Sequence, residues 1–167
     1  MMYRAPKLDS SDKDRFYREL NELLLHLIEF EPDWLANLAN AAGLLGHQLG
    51  QINWAGFYLF KGDDLVLGPF WGKPACTHID IGEGVCGAAA RERETVLVTD
   101  VNTFPGHIAC DESSQAEIVV PIIVDGDLKA VLDIDAPVKG RFDLLDQRGL
   151  EQFAATLAKH VDWSKMR

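Results

Sequence analysis

Glu117-Ile118-Val119-Val120-Pro121-Ile122-Ile123-Val124-Asp125-Gly126-Asp127-Leu128-Lys129-Ala130-Val131-Leu132-Asp133-Ile134-Asp135 decides the fold. Two apolar runs, 118–123 and 128–134, flank Asp125-Gly126. That arrangement is the pattern of a β-hairpin. Pro121 inside the first run points to a sheet edge or a bulge, because proline cannot donate to a ladder. Three carboxylates frame the hairpin. Asp133 and Asp135 are two residues apart and therefore share a face. The face of Glu117 depends on the turn. A two-residue turn pairs Glu117 with Ile134, on the other face. A three-residue loop, Val124-Asp125-Gly126, pairs it with Asp133 and gathers all three acids. The second register is the expected one. Acids crowded in apolar sequence cannot all ionise easily, so at least one is expected to have a raised pKa and to be able to donate a proton. The plainer alternative is a solvated sheet edge.

Working outward, Ser10-Ser11-Asp12 can cap a helix with Phe16, Leu20, Leu23, Leu24, Leu27 and Ile28 on one face. Asp33 can cap a second, carrying Leu35, Leu38, Ala42, Leu45 and Leu49. Ile52 to Phe60 reads as an aromatic-rich strand. Leu65 to Leu67, His78 to Ile81 and Thr95 to Thr99 are shorter strands. Gly82 to Gly87 is a turn that opens a short helix through Arg91. Asp143 or Asp146 starts a last helix with Leu150, Phe153, Leu157 and Val161. Helices at both ends with strands between them predict an α+β fold, helices packed on a mostly antiparallel sheet.

The chain has 167 residues, which predicts one domain over 1–167 with a real core. Its 47% hydrophobic and 25% charged content is that of an ordinary globular protein. A net charge of −10 without a basic cluster points away from nucleic acid and from anionic membrane. It suits a cationic or zwitterionic small ligand. No apolar run approaches a membrane span, and no signal-peptide core is evident. A cytoplasmic location is therefore expected, where a disulfide is usually transient and catalytic.

Three cysteines stand beside turn signals. Cys76 lies in Gly72-Lys73-Pro74-Ala75-Cys76-Thr77-His78 and Cys86 in Gly82-Glu83-Gly84-Val85-Cys86-Gly87. Cys110 follows Phe104-Pro105-Gly106-His107-Ile108-Ala109. None falls in a plain helical or strand pattern, which suggests thiol redox chemistry over inert packing. Two rival readings are weaker. Cys76, His78, His107 and Cys110 could form a zinc ligand set, but no Cys-x-x-Cys pair supports it. A cysteine hydrolase built on Cys110 and His107 would rest on sequence spacing alone. No metal or cofactor is therefore expected. Trp54, Tyr58 and Phe60 fall on one strand face. Phe60 suits a core stripe, while Trp54 and Tyr58 can wall a ligand pocket, each with a polar handle. Free N–H groups at 82–87 could hold a small carboxylate.

Several segments together carry a family resemblance. They are Asn53-Trp54-Ala55-Gly56-Phe57-Tyr58-Leu59, Leu67-Gly68-Pro69-Phe70, Gly72-Lys73-Pro74-Ala75-Cys76, Gly84-Val85-Cys86-Gly87, the 104–111 run and Val131-Leu132-Asp133-Ile134-Asp135. The chain resembles the free methionine-(R)-sulfoxide reductases, small enzymes built on a single GAF domain. Trp71 stands where that family has glutamine. The resemblance implies a GAF-type sheet with flanking helices, usually a homodimer, and reduction of free methionine-(R)-sulfoxide with thioredoxin as reductant. It also implies Cys110 as nucleophile and Cys76 as resolving thiol, with Cys86 as the alternative partner. Trp54, Tyr58, Glu117, Asp133 and Asp135 would contact substrate, and the three acids would supply the proton. The other reading is a GAF sensor that holds a small ligand without turning it over. Three thiols beside an acid hairpin favour the enzyme.

Overall fold

Four α-helices and six strands make up the computed structural model, which describes residues 6–166. Asp12 caps α1 (Lys13–Ile28) by accepting from Arg15 N–H, and Asp33 caps α2 (Trp34–Gln48) by accepting from Ala36 N–H. The strands are β1 (Trp54–Lys61), β2 (Asp64–Gly72), β3 (His78–Asp80), β4 (Val96–Val98), β5 (Ala116–Val124) and β6 (Asp127–Ala136). Between β3 and β4 runs α3 (Gly84–Glu92). The chain ends in α4 (Leu144–His160), where Asp143 and Asp146 form a capping box. Sequence order therefore gives helices outside and strands within. β2 runs well beyond the expected 65–67, because a register shift opposite Gly56 and Tyr58 absorbs Gly68 and Pro69 without ending the strand.

The sheet is antiparallel throughout, in the order β3-β2-β1-β6-β5-β4. Its alternation divides the core in two. Ala55, Phe57, Leu59, Ile118, Val120, Leu132 and Ile134 pack with α1, α2 and α4. Trp54, Tyr58, Val98, Val119 and Val131 face the other way, onto α3 and its neighbouring loops. The second layer is thinner, and it is where the acids lie. Trp71 belongs to the opposite side. Its ring lies so close over Gly46 of α2 that no Cβ would fit there, so this tryptophan touches helix packing and not the acid face.

The central hairpin corrects the expected register. Asp125 and Gly126 form a two-residue turn, with φ of 52° and 84°, and Val124 pairs with Asp127. Such a turn would put Glu117 opposite Ile134. A bulge at Ile122/Ile123 shifts the ladder by one residue, and Glu117 pairs with Asp135, not Asp133. Leu128 and Val131 consequently share one face although they are three apart. A bulge adds one residue to one strand and flips its alternation. The three acids do end on one face, for this reason and not through a three-residue loop. Pro121 lies beyond Val119, the last residue of β5 that pairs with β4 on that side. Both readings of the proline, edge and bulge, thus describe this place.

Candidate active site

Neighbouring strands line up the polar groups. Trp54, Asp135, Glu117 and Val98 form one row across β1, β6, β5 and β4. Gly56, Asp133 and Val119 form the next. Gly56 must lack a side chain. A Cβ there would come within 2.4 Å of Phe70 and 2.8 Å of the Trp54 ring. Trp54 stacks on Phe70 at 5.3 Å between centroids and on Tyr58 at 5.8 Å. The result is an aromatic wall beside the acids.

The polar handles of that wall have definite partners. Trp54 Nε1 donates to Lys73 O at 3.2 Å, and the Tyr58 hydroxyl donates to Cys76 O at 2.9 Å. Both aromatics therefore hold the loop between β2 and β3 that carries Cys76. Cys76 is joined to Cys110 in a disulfide with Cα atoms 5.6 Å apart. This bond lashes the 104–111 run to the β2–β3 loop. Past it, Asn53 Nδ2 donates to Asp111 Oδ2 at 3.1 Å and to Ser114 Oγ at 3.0 Å. The N–H and hydroxyl of Ser113 both donate to Asp111. These bonds hold the Asp111 carboxyl down at about 2. The zinc ligand set considered above is not assembled here. Its two sulfurs are bonded to each other, and His78 turns to Asp64 at 2.6 Å.

Beneath the disulfide lies a cavity of about 30 Å³, lined by Trp54, Tyr58, Cys86, His107, Cys110, Glu117, Asp133 and Asp135, among others. Every residue singled out as catalytic, except Cys76, lines it directly, and Cys76 closes it through the bond to Cys110. Cys86 departs from the turn setting read in the sequence. It sits in the first turn of α3, 3% exposed, its Sγ 3.9 Å from Glu117 Oε1. The helix starts earlier than its glycines suggest because Gly84 can take the positive φ that begins it.

Glu117 is 6% exposed and Asp133 5%, and among the described residues no lysine or arginine lines the cavity. Burial drives both carboxyls well above their usual range, and each is raised further by another acid, Asp135 for Glu117 and Glu117 for Asp133. Asp135 is raised by burial and then by Asp133 and Asp111. Burial likewise pushes the Cys86 thiol up, with Asp133 and Glu117 adding to it. Burial and mutual repulsion thus favour the protonated form of these carboxyls, the form that can donate a proton. Sequence reading missed the position of His107. Its Nε2 lies 3.3 Å from Glu117 Oε2, and burial lowers its pKa. The sequence placed it in the same run as Cys110 but gave no sign that it reaches the hairpin.

A GAF-type sheet that gathers acids, a buried thiol and a disulfide around one cavity defines a thiol oxidoreductase built on a ligand-binding fold. Sequence comparison agrees: residues 33–161 match the family model of the GAF domain. Protein YtsP of Bacillus subtilis is 55% identical over 160 residues, covering 95% of this chain and 98% of that protein. The free methionine-R-sulfoxide reductase of Escherichia coli is 49% identical over 148 residues, covering 89% and 90%. The structure of the free methionine-R-sulfoxide reductase of Neisseria meningitidis in complex with its substrate superposes with a TM-score of 0.91 at 43% identity, over 96% of this chain and 97% of that one. The chain belongs to the free methionine-R-sulfoxide reductase family, oxidoreductases of the GAF fold.

Proposed function

We propose that this chain reduces free methionine-(R)-sulfoxide to methionine, with Cys110 as nucleophile and Cys76 as resolving thiol. The observation that carries the reading is the disulfide of Cys110 with Cys76 in the wall of the acid cavity. In the reduced enzyme the Cys110 thiolate attacks the sulfoxide sulfur. A carboxylic acid of the cluster protonates the sulfoxide oxygen, and the S–O bond breaks as that oxygen passes to Cys110. The products are methionine and a Cys110 sulfenic acid. The Cys76 thiol condenses with it, releasing water and forming the disulfide. A dithiol such as thioredoxin then takes up the disulfide by thiol exchange and leaves both cysteines reduced.

Glu117, Asp133 and Asp135 bind the substrate ammonium, and Trp54 and Tyr58 hold its apolar chain. Gly84, Val85 and Cys86, which open α3, line the same cavity, and a helix start of this kind suits its carboxylate. The ammonium also relieves the opposition between nearby carboxylates and a thiolate at Cys110. A peptide-bound residue has an uncharged amide in that place, so the cluster selects the free amino acid. The cavity as it stands holds roughly one or two waters. The disulfide form is therefore closed, and reduction must release the 104–111 run before substrate enters. The whole chain, 1–167, works as one GAF unit in a reducing compartment, paired as a homodimer, which sedimentation analysis tests.

The deciding assay uses separated R and S sulfoxides, free and N-acetylated, with the wild type and two variants. Turnover should be confined to the free R form. Cys110→Ser should yield no methionine even in a single turnover. Cys76→Ser should release one methionine per site and then stall with thioredoxin. Single-turnover yield from Cys110→Ser near that of the wild type would overturn the assignment.

A further inference from the structure

We infer that Cys86, Glu117 and Asp133 form a site for one thiophilic divalent cation, of which zinc is the type, in the disulfide form of the protein. The three side chains come from α3, β5 and β6, and all are buried. One ligand atom from each lies within 4.8 Å of the others. A tetrahedral zinc ion holds sulfur and oxygen ligands about 3.3–3.8 Å apart, given its bond lengths. The Cys86 Sγ to Glu117 Oε1 distance is 3.9 Å, close to that span, and every pair in the group lies within 4.8 Å.

Three further observations point to an ion. Asp133 Oδ1 is buried with no hydrogen-bond partner among the described residues, and Asp133 lines the cavity. An oxygen left in that condition is costly unless something cationic or protic meets it. The cavity is of ion or water size, about 30 Å³, and no lysine or arginine among the described residues lines it. Finally, His107 Nε2 reaches the second oxygen of Glu117 at 3.3 Å. Metal-binding carboxylates are commonly held by such an outer partner. Three protein ligands leave a fourth position for water. The thiol selects against calcium and magnesium, which want six or more oxygens.

Binding replaces protons by the ion. The thiol proton of Cys86 and any proton shared by the two carboxyls go to solvent, and no electrons move. The same carboxylates would hold the substrate ammonium under the function proposed above, so an occupied site cannot take substrate. The binding test needs no turnover, and its outcome is independent of that function.

Cobalt(II) is the probe. In the oxidised protein Cys76 and Cys110 are bonded to each other, which leaves Cys86 the one free thiol. Cobalt should therefore give a near-ultraviolet thiolate charge-transfer band that saturates at one ion per chain. Added zinc should abolish it, with release of protons on binding. Cys86→Ser should lack the band, and Asp133→Asn should weaken binding at least tenfold. Absence of a saturating band in oxidised wild-type protein overturns the inference without any variant. So does a band that survives in Cys86→Ser, or binding of equal strength in Asp133→Asn.

Discussion

Asp133→Asn should make this protein less active and more stable at once. The carboxyl is 5% exposed, faces Glu117 and, among the described residues, meets no lysine or arginine in the cavity. Its pKa in the fold is raised by burial first and by Glu117 next. An acid whose pKa is higher folded than unfolded binds more protons in the native state. Stability then falls as pH rises from its unfolded value, about 4, through its folded one. Asparagine keeps the shape, carries no charge to desolvate, and can donate to the Glu117 carboxylate. The melting temperature of the variant should exceed that of the wild type at pH 8. Each kcal/mol of gain corresponds to about 2–4 °C for a chain of this size. The gap should close toward pH 4, where the wild-type acid is protonated in the fold and about half protonated in the unfolded chain. Activity moves the other way. Removing one partner of a buried charged contact costs about 2–5 kcal/mol, roughly 30- to 5,000-fold in kcat/KM on free methionine sulfoxide. A rise in KM alone would mark ammonium binding, and a fall in kcat would mark proton delivery. Scanning calorimetry at pH 4, 6 and 8 alongside steady-state kinetics checks both halves. A variant that melts lower than wild type at pH 8, by a margin that does not change with pH, would refute the reasoning. So would unchanged kinetics.

Tyr58→Phe removes the donor to Cys76 O and should cost about 1–3 kcal/mol, because a partly buried carbonyl loses its partner. Single-turnover methionine release should persist while the following disulfide closure slows, as followed by quenched-flow thiol titration. Equal closure rates would show that the hydroxyl does not position the loop. Gly56→Ala forces a methyl group into Phe70 and the Trp54 ring, at an expected cost of about 1–3 kcal/mol with quenched indole packing in near-UV circular dichroism. A melting temperature equal to that of wild type would mean the sheet yields without cost. Asp143→Ala removes the α4 cap, about 1 kcal/mol, and should lower the melting temperature without touching kcat/KM. Its pH dependence should be opposite to that of Asp133. The Asp143 carboxyl is held down at about 2, chiefly by its hydrogen bond to Lys13, so its contribution is present above about pH 4 and fades as pH falls toward 2. A deficit that grows with acid would contradict this.

The helix starts were legible because each rests on a local contact. Asp12, Asp33 and Asp143 accept from N–H groups two or three residues on, and the sequence shows both ends of that bond. The gathering of the acids was legible only in outcome. Whether Glu117 shares the face of Asp133 and Asp135 depends on turn length and bulges together. Asp125-Gly126 announces the turn, but nothing local in Ile122-Ile123 announces a bulge. The two-residue turn and the bulge each move the ladder by one residue, so together they leave the parity of the face unchanged. The disulfide pairing is non-local in the same sense. Cys76 and Cys110 are 34 residues apart and meet only because β2 and β5 place their loops at one end of the sheet. Cys86 was misread for a different reason. Its flanking glycines signal a turn, and three of the glycines around it do serve close backbone geometry, yet the helix begins among them and carries the thiol inward.

The sheet that creates the acid face also makes it unfavourable, and the two properties have one cause. Placing Glu117, Asp133 and Asp135 on adjacent strands of a covered sheet face removes their water and sets them beside one another. A surface hairpin with the same sequence would leave three ordinary carboxylates, ionised at neutral pH and useless as acids. The cost is borne by the opposite face, where Phe57, Ile118, Leu132 and Ile134 are fully buried against α1, α2 and α4. Alternation along β5 and β6 therefore does two jobs residue by residue: Ile118 and Ile134 anchor the strands, and Glu117, Asp133 and Asp135, one step away, are held where water would otherwise ionise them. Small changes on the helix side that shift the register by one residue would bring isoleucine into the cavity and acid into the core, which is why the bulge at Ile122/Ile123 is as much a part of the site as the acids it aligns.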